Sequence, residues 1–283
     1  MNLNSSGKKG ITLVIGSGAI KCAASIGLWQ VLIEENIPID MVVGCSGGSI
    51  YGAGIAMGMT IDEVKQASEN TWTTELMQDY TTNLKASKDG TLKFNERSGM
   101  VNDSVLNERL KNIFRDRTFN DLEKPLLVVA TDMMNGEKVI ISEGNLFDAI
   151  RASIALPMIF PPWEINGQLL VDGAASDPLP IDIAIQNGAG VIIAMGFTID
   201  YRKKFRSLTA VQEQMTSIYM NNILKSTFAF NNLAHHSEIF PVIPEFEEPL
   251  SMFDIHKIPY IVEKGAESAR ENIPHIKRLL DSF

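Results

Sequence analysis

Residues 11–50, ITLVIGSGAIKCAASIGLWQVLIEENIPIDMVVGCSGGSI, decide the fold class. Ile11 to Ile15 is a continuous apolar and β-branched run, the pattern of a strand buried on both faces. The glycine turn Gly16-Ser17-Gly18 follows, and Ile20, Ala23, Ala24, Gly27, Leu28 and Val31 then recur along one face of an amphipathic helix. Asn36 and Pro38 end that helix, and Ile39 to Val43 reads as a second strand. A strand–helix–strand unit of this kind makes parallel neighbours joined by a right-handed crossover. Gly44-Cys45-Ser46-Gly47-Gly48-Ser49 turns the chain straight into another helix, rich in Gly52, Ala53, Gly54 and Ala56. Each glycine there costs about 1 kcal/mol of helix propensity relative to alanine, so close approach of the helix to the sheet is expected.

The alternation continues downstream. Thr60 and Glu63 form a capping box that opens a helix. Asp79 to Gly99 is polar and weakly patterned, a candidate lid. Val105 to Phe114 reads as helix and Leu126 to Ala130 as a buried strand. Asn135-Gly136 and Asn166-Gly167 are two-residue hairpin signals. The first stands between Met133/Met134 and Val139/Ile140, the second between Trp163/Ile165 and Leu169/Leu170. Ile181 to Asn187 reads as a short helix, Val191 to Met195 as a strand and Ser207 to His236 as mainly helical. Ile239 to Ile243 reads as extended and Tyr260 to Leu280 as helical. The expected architecture is a single three-layer α/β/α domain over residues 1–283, built on a mainly parallel sheet, with its motifs in about residues 10–200.

With 283 residues, 45% of them hydrophobic and 21% charged, the chain has the make-up of a well-cored globular protein. Its 25 Lys and Arg against 34 Asp and Glu give a net charge of −9. That sum disfavours nucleic acid as a partner and disfavours electrostatic attraction to an anionic membrane. Cys22 and Cys45 make no disulfide framework, and the histidines show no metal-ligand spacing, so no metal or organic cofactor is expected. The apolar run near the amino terminus is too short for a secretory signal, and no stretch reaches the roughly 18 apolar residues of a membrane span. A cytoplasmic location is expected, with peripheral contact at a membrane or micelle surface the one extension.

Gly44-x-Ser46-x-Gly48 lies between a buried strand and a helix, the context of a nucleophile elbow, where the helix amino terminus favours negative charge. The competing assignment is a tight turn with Ser46 as an unreactive helix cap. For Gly16-Ser17-Gly18 one alternative is a dinucleotide fingerprint. Lys21 at the third glycine position and the absence of a ribose-binding carboxylate after the second strand oppose it. The other is an oxyanion hole, since loops that follow adjacent parallel strands emerge at one edge of the sheet and would face each other. A plain strand–helix turn stays open beside both. Asp172, at a strand end before Gly173-Ala174, suits either a base for Ser46 or an Asx-turn cap.

Other residues have quieter expected roles. Cys45 reads as a small buried side chain. Met57, Met59, Met158, Met195 and Met215 read as core filling, with an acyl groove the alternative. His235, His236, His256 and His275 follow Ser46 and Asp172 in the order of a hydrolase triad, but only one strand precedes the Ser46 unit, so surface or capping roles are expected. The helix carrying Met215, Ile218, Tyr219 and Ile223, next to Lys203, Lys204 and Arg206, is expected to pack into the core, a bilayer or second subunit being the alternative.

Taken in order, five features resemble the patatin-like phospholipase family. They are the glycine loop, the Gly44–Gly48 elbow, LLVVATDMMNGEKVIISEG at 126–144, RASIALPMIFPP at 151–162, and Val171-Asp172-Gly173-Ala174. The resemblance covers roughly residues 10–200 and does not extend into residues 201–283. It implies a Ser46–Asp172 catalytic dyad, an oxyanion hole formed at Gly16, Ser17 and Gly18 with Gly47 beside the nucleophile, and turns shaped by Gly44, Gly48, Gly173 and Ala174. Lys21 and Cys22 stand where the family usually has Arg-Gly. The implied activity is cofactor-free serine hydrolysis of a phospholipid, lysophospholipid or other fatty-acyl ester. A non-catalytic lipid-binding protein and a nucleotide-binding protein are the alternatives from other classes.

Overall fold

In the central strands alternate side chains enter opposite cores, as burial of both faces of a sheet requires. Ile11, Leu13 and Ile15 of β1 (Ile11–Ile15) face the larger cluster, and Val14 faces the smaller. In β2 (Met41–Cys45), Val42 faces the larger, while Met41, Val43 and Cys45 face the smaller. The computed structural model describes residues 10–71, 82–83, 95–234, 238–251 and 254–281.

After β1 a 3₁₀ turn (Ala19–Ala23) leads into α1 (Ala24–Glu34), and β2 leads directly into α2 (Gly47–Ala56). Then come α3 (Ile61–Thr71), α4 (Ser104–Phe114), β3 (Leu126–Asp132), β4 (Lys138–Ile141), α5 (Leu146–Ser153), β5 (Trp163–Ile165) and β6 (Gln168–Asp172). The last elements are α6 (Ile181–Gln186), β7 (Val191–Met195), α7 (Leu208–Ala234), β8 (Glu238–Val242) and α8 (Ile258–Leu280). The eight strands among the described residues belong to one sheet. β3, β2, β1, β7 and β8 are consecutive parallel neighbours, while β4 and β6 both pair antiparallel with β3, and β5 with β6. Helices α1, α2, α4, α5 and α8 supply the larger core, and α6 with Leu224 of α7 the smaller, which makes the three-layer α/β/α arrangement.

The short-range signals hold in detail. Thr60 and Glu63 make the full capping box, with Thr60 N–H donating to Glu63 Oε2 (2.7 Å) and Glu63 N–H to Thr60 Oγ1 (3.3 Å). Asn166 and Gly167 take positive φ values of 51° and 81°, as a two-residue hairpin turn needs. The glycine-rich α2 lies close to the sheet: a methyl group at Gly52 would stand 3.0 Å from Val42 Cγ1.

Three expectations need correcting. β2 covers 41–45 rather than 39–43, because Asp40 turns its carboxylate to the Ile11 N–H (2.7 Å) and pairing starts at Met41 opposite Thr12. The Asn135-Gly136 connection is a wider loop over 133–137. Asp132 accepts from Met134 N–H through its side chain (2.8 Å) and from Gly136 N–H through its carbonyl (2.8 Å), which draws both methionines out of the strands. Finally, α7 does not bury the stripe expected in the core: Met215, Tyr219 and Ile223 are 39%, 59% and 39% exposed. Of the 79–99 stretch only 82–83 and 95–99 are described, and His235 and His236 lie outside the described residues. Among the described residues no helix is long and apolar enough to cross a membrane.

Candidate active site

The site is assembled on one side of β3. Ala130 and Thr131 each pair with both β4 and β6, so those two strands occupy opposite sides of β3. β2 pairs with Leu126 to Val129 and β6 with Ala130 to Asp132, end to end on the side opposite β4. Cys45 is level with Val129 and Asp172 with Ala130. The residue that leaves β2, Ser46, therefore meets the last residue of β6, Asp172, head on.

Ser46 has φ 55° and ψ −133°, a conformation that costs a non-glycine residue about 1–3 kcal/mol. Its backbone is held on both sides. Ser46 N–H donates to Ser153 Oγ (2.8 Å), whose hydroxyl donates onward to Val129 O (2.6 Å). The Ser46 carbonyl accepts from Ser49 N–H (2.8 Å) and Ser49 Oγ (2.7 Å). The Ser46 hydroxyl does not cap α2; it donates to Asp172 Oδ2 at 2.6 Å.

Both carboxylate oxygens of Asp172 are hydrogen-bonded. Its Oδ1 accepts from Ala174 N–H (2.9 Å), the cap of a short 3₁₀ turn, while Oδ2 takes Ser46. Asp172 N–H donates to Ala155 O (2.9 Å), and Thr131 Oγ1 donates to Asp172 O (3.0 Å). Gly173 has to be glycine here, since a Cβ would fall 2.3 Å from Val129 O. Burial disfavours the ionised carboxyl and raises its pKa from 3.8 to about 6, the Ser46 and Ala174 hydrogen bonds pulling the other way.

The glycine loop lies against this elbow: a methyl at Gly48 would stand 2.3 Å from Ile15 O and 2.7 Å from Gly16 O. Its amides are not equivalent. Gly16 N–H donates to Met195 O (2.9 Å) and Ser17 N–H to Pro178 O (2.8 Å). Both are engaged in holding the loop, which removes two of the expected oxyanion donors and leaves a dinucleotide phosphate without them. Gly18, and Gly47 at the first position of α2, are the expected donors outside those two bonds.

Lys21 points away from the serine, into the segment after β7. Its Nζ donates to Thr198 O (2.9 Å) and Asp200 Oδ2 (2.9 Å) and lies 5.5 Å from the centre of the Phe246 ring. Cys22 is buried under the loop, its thiol donating to Gly16 O (3.4 Å), and Cys45 Sγ donates to Asp177 O (3.3 Å). Burial, and then the Asp172 charge, push both thiols well above their ordinary range, so neither is a nucleophile at neutral pH. Met57 and Met195 are core residues, Met59 is half-buried, and Met158 is 63% exposed. Of the described histidines, His275 bonds to Arg278, and neither it nor His256 bonds to Ser46 or Asp172.

Sequence reasoning missed two contributors, Ser153 and Ala155. Both lie in the 151–162 run, whose first residue has a structural role. The buried Arg151 guanidinium pairs with Asp103, donates to Asn107 Oδ1 (2.8 Å) and Pro161 O (3.1 Å), and stacks near Trp163. It fixes α5 to α4 and to the following loop, and α5 delivers Ser153.

The sequence profile of the patatin-like phospholipase family matches residues 13–185. Patatin-like phospholipase domain-containing protein 7 of Rattus norvegicus is 31% identical over 187 residues, 65% of this chain and 13% of that protein. An uncharacterized NTE family protein of Mycobacterium tuberculosis is 29% identical over 198 residues, 70% of this chain and 31% of that protein. The chain thus spans only a small part of the length of these relatives. Among solved structures, VipD from Legionella pneumophila superposes with a TM-score of 0.50 at 15% identity, over 98% of this chain and 67% of that one. That likeness is one of fold.

Two outcomes follow from the geometry. Ser153→Ala leaves the Ser46 amide and Val129 carbonyl unpaired and is expected to lower stability by about 1–3 kcal/mol in urea unfolding. Asp172 binds its proton more tightly folded than unfolded, so its contribution to stability is full below pH 3.8 and fades as pH rises through about 6. Asp172→Asn, neutral throughout, should therefore gain on wild type by about 2 kcal/mol between pH 4 and pH 8, read from melting curves.

Proposed function

The chain belongs to the patatin-like phospholipase family, and on that premise we propose that it is a serine-dependent lipid acyl hydrolase, a carboxylic ester hydrolase of the phospholipase A or lysophospholipase type. The observation that carries this reading is the 2.6 Å hydrogen bond from Ser46 Oγ, at a positive-φ elbow, to a buried carboxylate. A serine hydroxyl bonded to the backbone of its own helix would be a cap. One aimed at a desolvated carboxylate has a base.

Asp172 Oδ2 takes the Ser46 proton as Oγ bonds to the carbonyl carbon of a fatty-acyl ester. The carbonyl π electrons move onto oxygen, where the Gly18 and Gly47 amides hold the negative charge with help from the α2 amino terminus. Loss of one such donor typically costs about 10²–10³ in rate. Collapse of the tetrahedral species breaks the ester C–O bond, and the leaving alcohol takes the proton from Asp172. Water, deprotonated by the same carboxylate, then attacks the acyl-serine, and the fatty acid leaves as Ser46 recovers its proton. Water exclusion brings the carboxyl toward working pH: near 3.8 it would be a weak base, and near 6 it is a better one while still ionised at neutrality.

A fluorophosphonate ester, mapped by peptide mass, tests the nucleophile, and hydrolysis of a short-chain nitrophenyl ester tests the base. The adduct is expected on Ser46 and lost in Ser46→Ala, with turnover abolished in Asp172→Asn. Wild-type turnover is expected to rise about tenfold from pH 5 to pH 8 on an acid limb near 6. Labelling at another residue, or an Asp172→Asn variant with wild-type turnover, would reject the dyad.

A further inference from the structure

Helix α7 buries Leu224 and packs Met220 and Phe228 against the smaller core, yet it also turns an apolar stripe outward. Ala210, Ser217, Asn221 and Asn231 are buried, while Leu208, Val211, Met215, Tyr219 and Ile223 are exposed at 76%, 43%, 39%, 59% and 39%. At 100° per residue these five exposed side chains fall within about 120° of one another, so they make one stripe. A globular helix ordinarily turns such a stripe inward.

The stripe stands on the same edge of the sheet as Ser46. β7 and β2 are both parallel to β1, and Ile15 is level with Met195 on one side and Gly44 on the other. Leu224 of α7 is level with the end of β7, since a methyl at Gly196 would lie 2.9 Å from Leu224 Cδ1. From there α7 runs back beside the sheet to β8, whose first residue, Glu238, pairs with Val191 at the opposite edge. Residues 208–223, about 24 Å of helix, therefore project past the edge that carries Ser46. The segment after β7 braces them: Asn221 Oδ1 accepts from Ile199 N–H (2.8 Å), Asn221 Nδ2 donates to Ile199 O (2.8 Å), and Gln214 Oε1 accepts from Arg202 N–H (2.7 Å).

That bracing segment reads Tyr201-Arg202-Lys203-Lys204-Phe205-Arg206, exposed throughout. Asp200, the acid immediately before it in sequence, is paired with Lys21. Exposed aromatic rings between exposed cations, at the foot of an exposed apolar stripe, match a layer of anionic headgroups over acyl chains. A second copy of this chain fits less well, because a two-fold contact would set the basic cluster against itself. The net charge of −9 opposes attraction over the surface as a whole. A local basic cluster on such a chain makes the attraction directional.

We propose that the outer face of α7, with Lys203, Lys204 and Arg206 at its foot, seats the chain on an anionic phospholipid bilayer with the Ser46 edge toward the lipid. This rests on the lipid acyl hydrolase reading. Flotation with phosphatidylcholine–phosphatidylglycerol vesicles tests it, against phosphatidylcholine vesicles alone and against high salt. The wild type is expected to float with anionic vesicles and to lose most binding on the neutral ones or in salt. The triple variant K203E/K204E/R206E should bind on the order of a hundredfold more weakly. Met215→Asp with Tyr219→Asp should also lose binding, and both variants should hydrolyse a soluble short-chain ester at the wild-type rate. Ester hydrolysis without flotation, or flotation that neither variant weakens, would overturn the docking face. So would a wild-type dimer that Tyr219→Asp converts to monomer, which would assign the face to a second copy. Flotation that the variants abolish, in a chain inert toward esters, would uphold the face and remove the hydrolase reading instead.

Discussion

One side of β3 is shared end to end by two strands that run in opposite directions, and the site exists because of that sharing. A strand offers a fixed row of hydrogen-bonding groups on each side. β2 occupies the row up to Val129 and β6 takes it from Ala130. A parallel strand ends at its carboxyl edge in a helix-bearing turn, whereas an antiparallel one arrives there from the other direction. Their meeting brings a side chain from each to a single point, 126 residues apart in sequence and 2.6 Å apart in space. Neither strand has room to slide by one residue without competing for the other's partners, so register and site geometry are one constraint.

The surrounding groups serve that junction through the backbone. Ser153 spans the gap between the strained Ser46 amide and the Val129 carbonyl, and Gly173 lets the chain turn against that same carbonyl. The charges are kept away: Lys138 is bound between Asp177 and Asp182, Lys21 reaches the segment after β7, and Arg151 is committed to α4. The carboxyl of Asp172 is thus governed mainly by the absence of water, with two neutral donors offsetting part of that effect.

Much of this was legible in the residues because it depends on local pattern. The buried strand β1, the elbow after β2, the Thr60 capping box and the Asn166-Gly167 turn are each written within a few residues. β2 was misplaced by two residues because Ile39 looks like strand, whereas its true start is set by a partner, Thr12, that composition does not reveal. The same holds for the amides of Gly16 and Ser17. They look free in a glycine loop, but their acceptors, Met195 and Pro178, come from far along the chain. Ser153 lies in the 151–162 run, but its contact with the Ser46 amide depends on where α5 is anchored. In α7 the apolar spacing was visible, yet spacing alone does not say which way a stripe faces.

The sharing of β3 also sets an order of events during synthesis. Ser46 and the elbow glycines leave the ribosome with β1 and β2, whereas Asp172 follows well over a hundred residues later. Until β6 has been made, the upper half of that row on β3 is empty and the serine hydroxyl has no carboxylate to meet. A chain that stops anywhere before residue 172 carries the elbow without its partner. The Ser46 hydroxyl and the Asp172 carboxyl therefore cannot meet until the 126-residue span between them has been made.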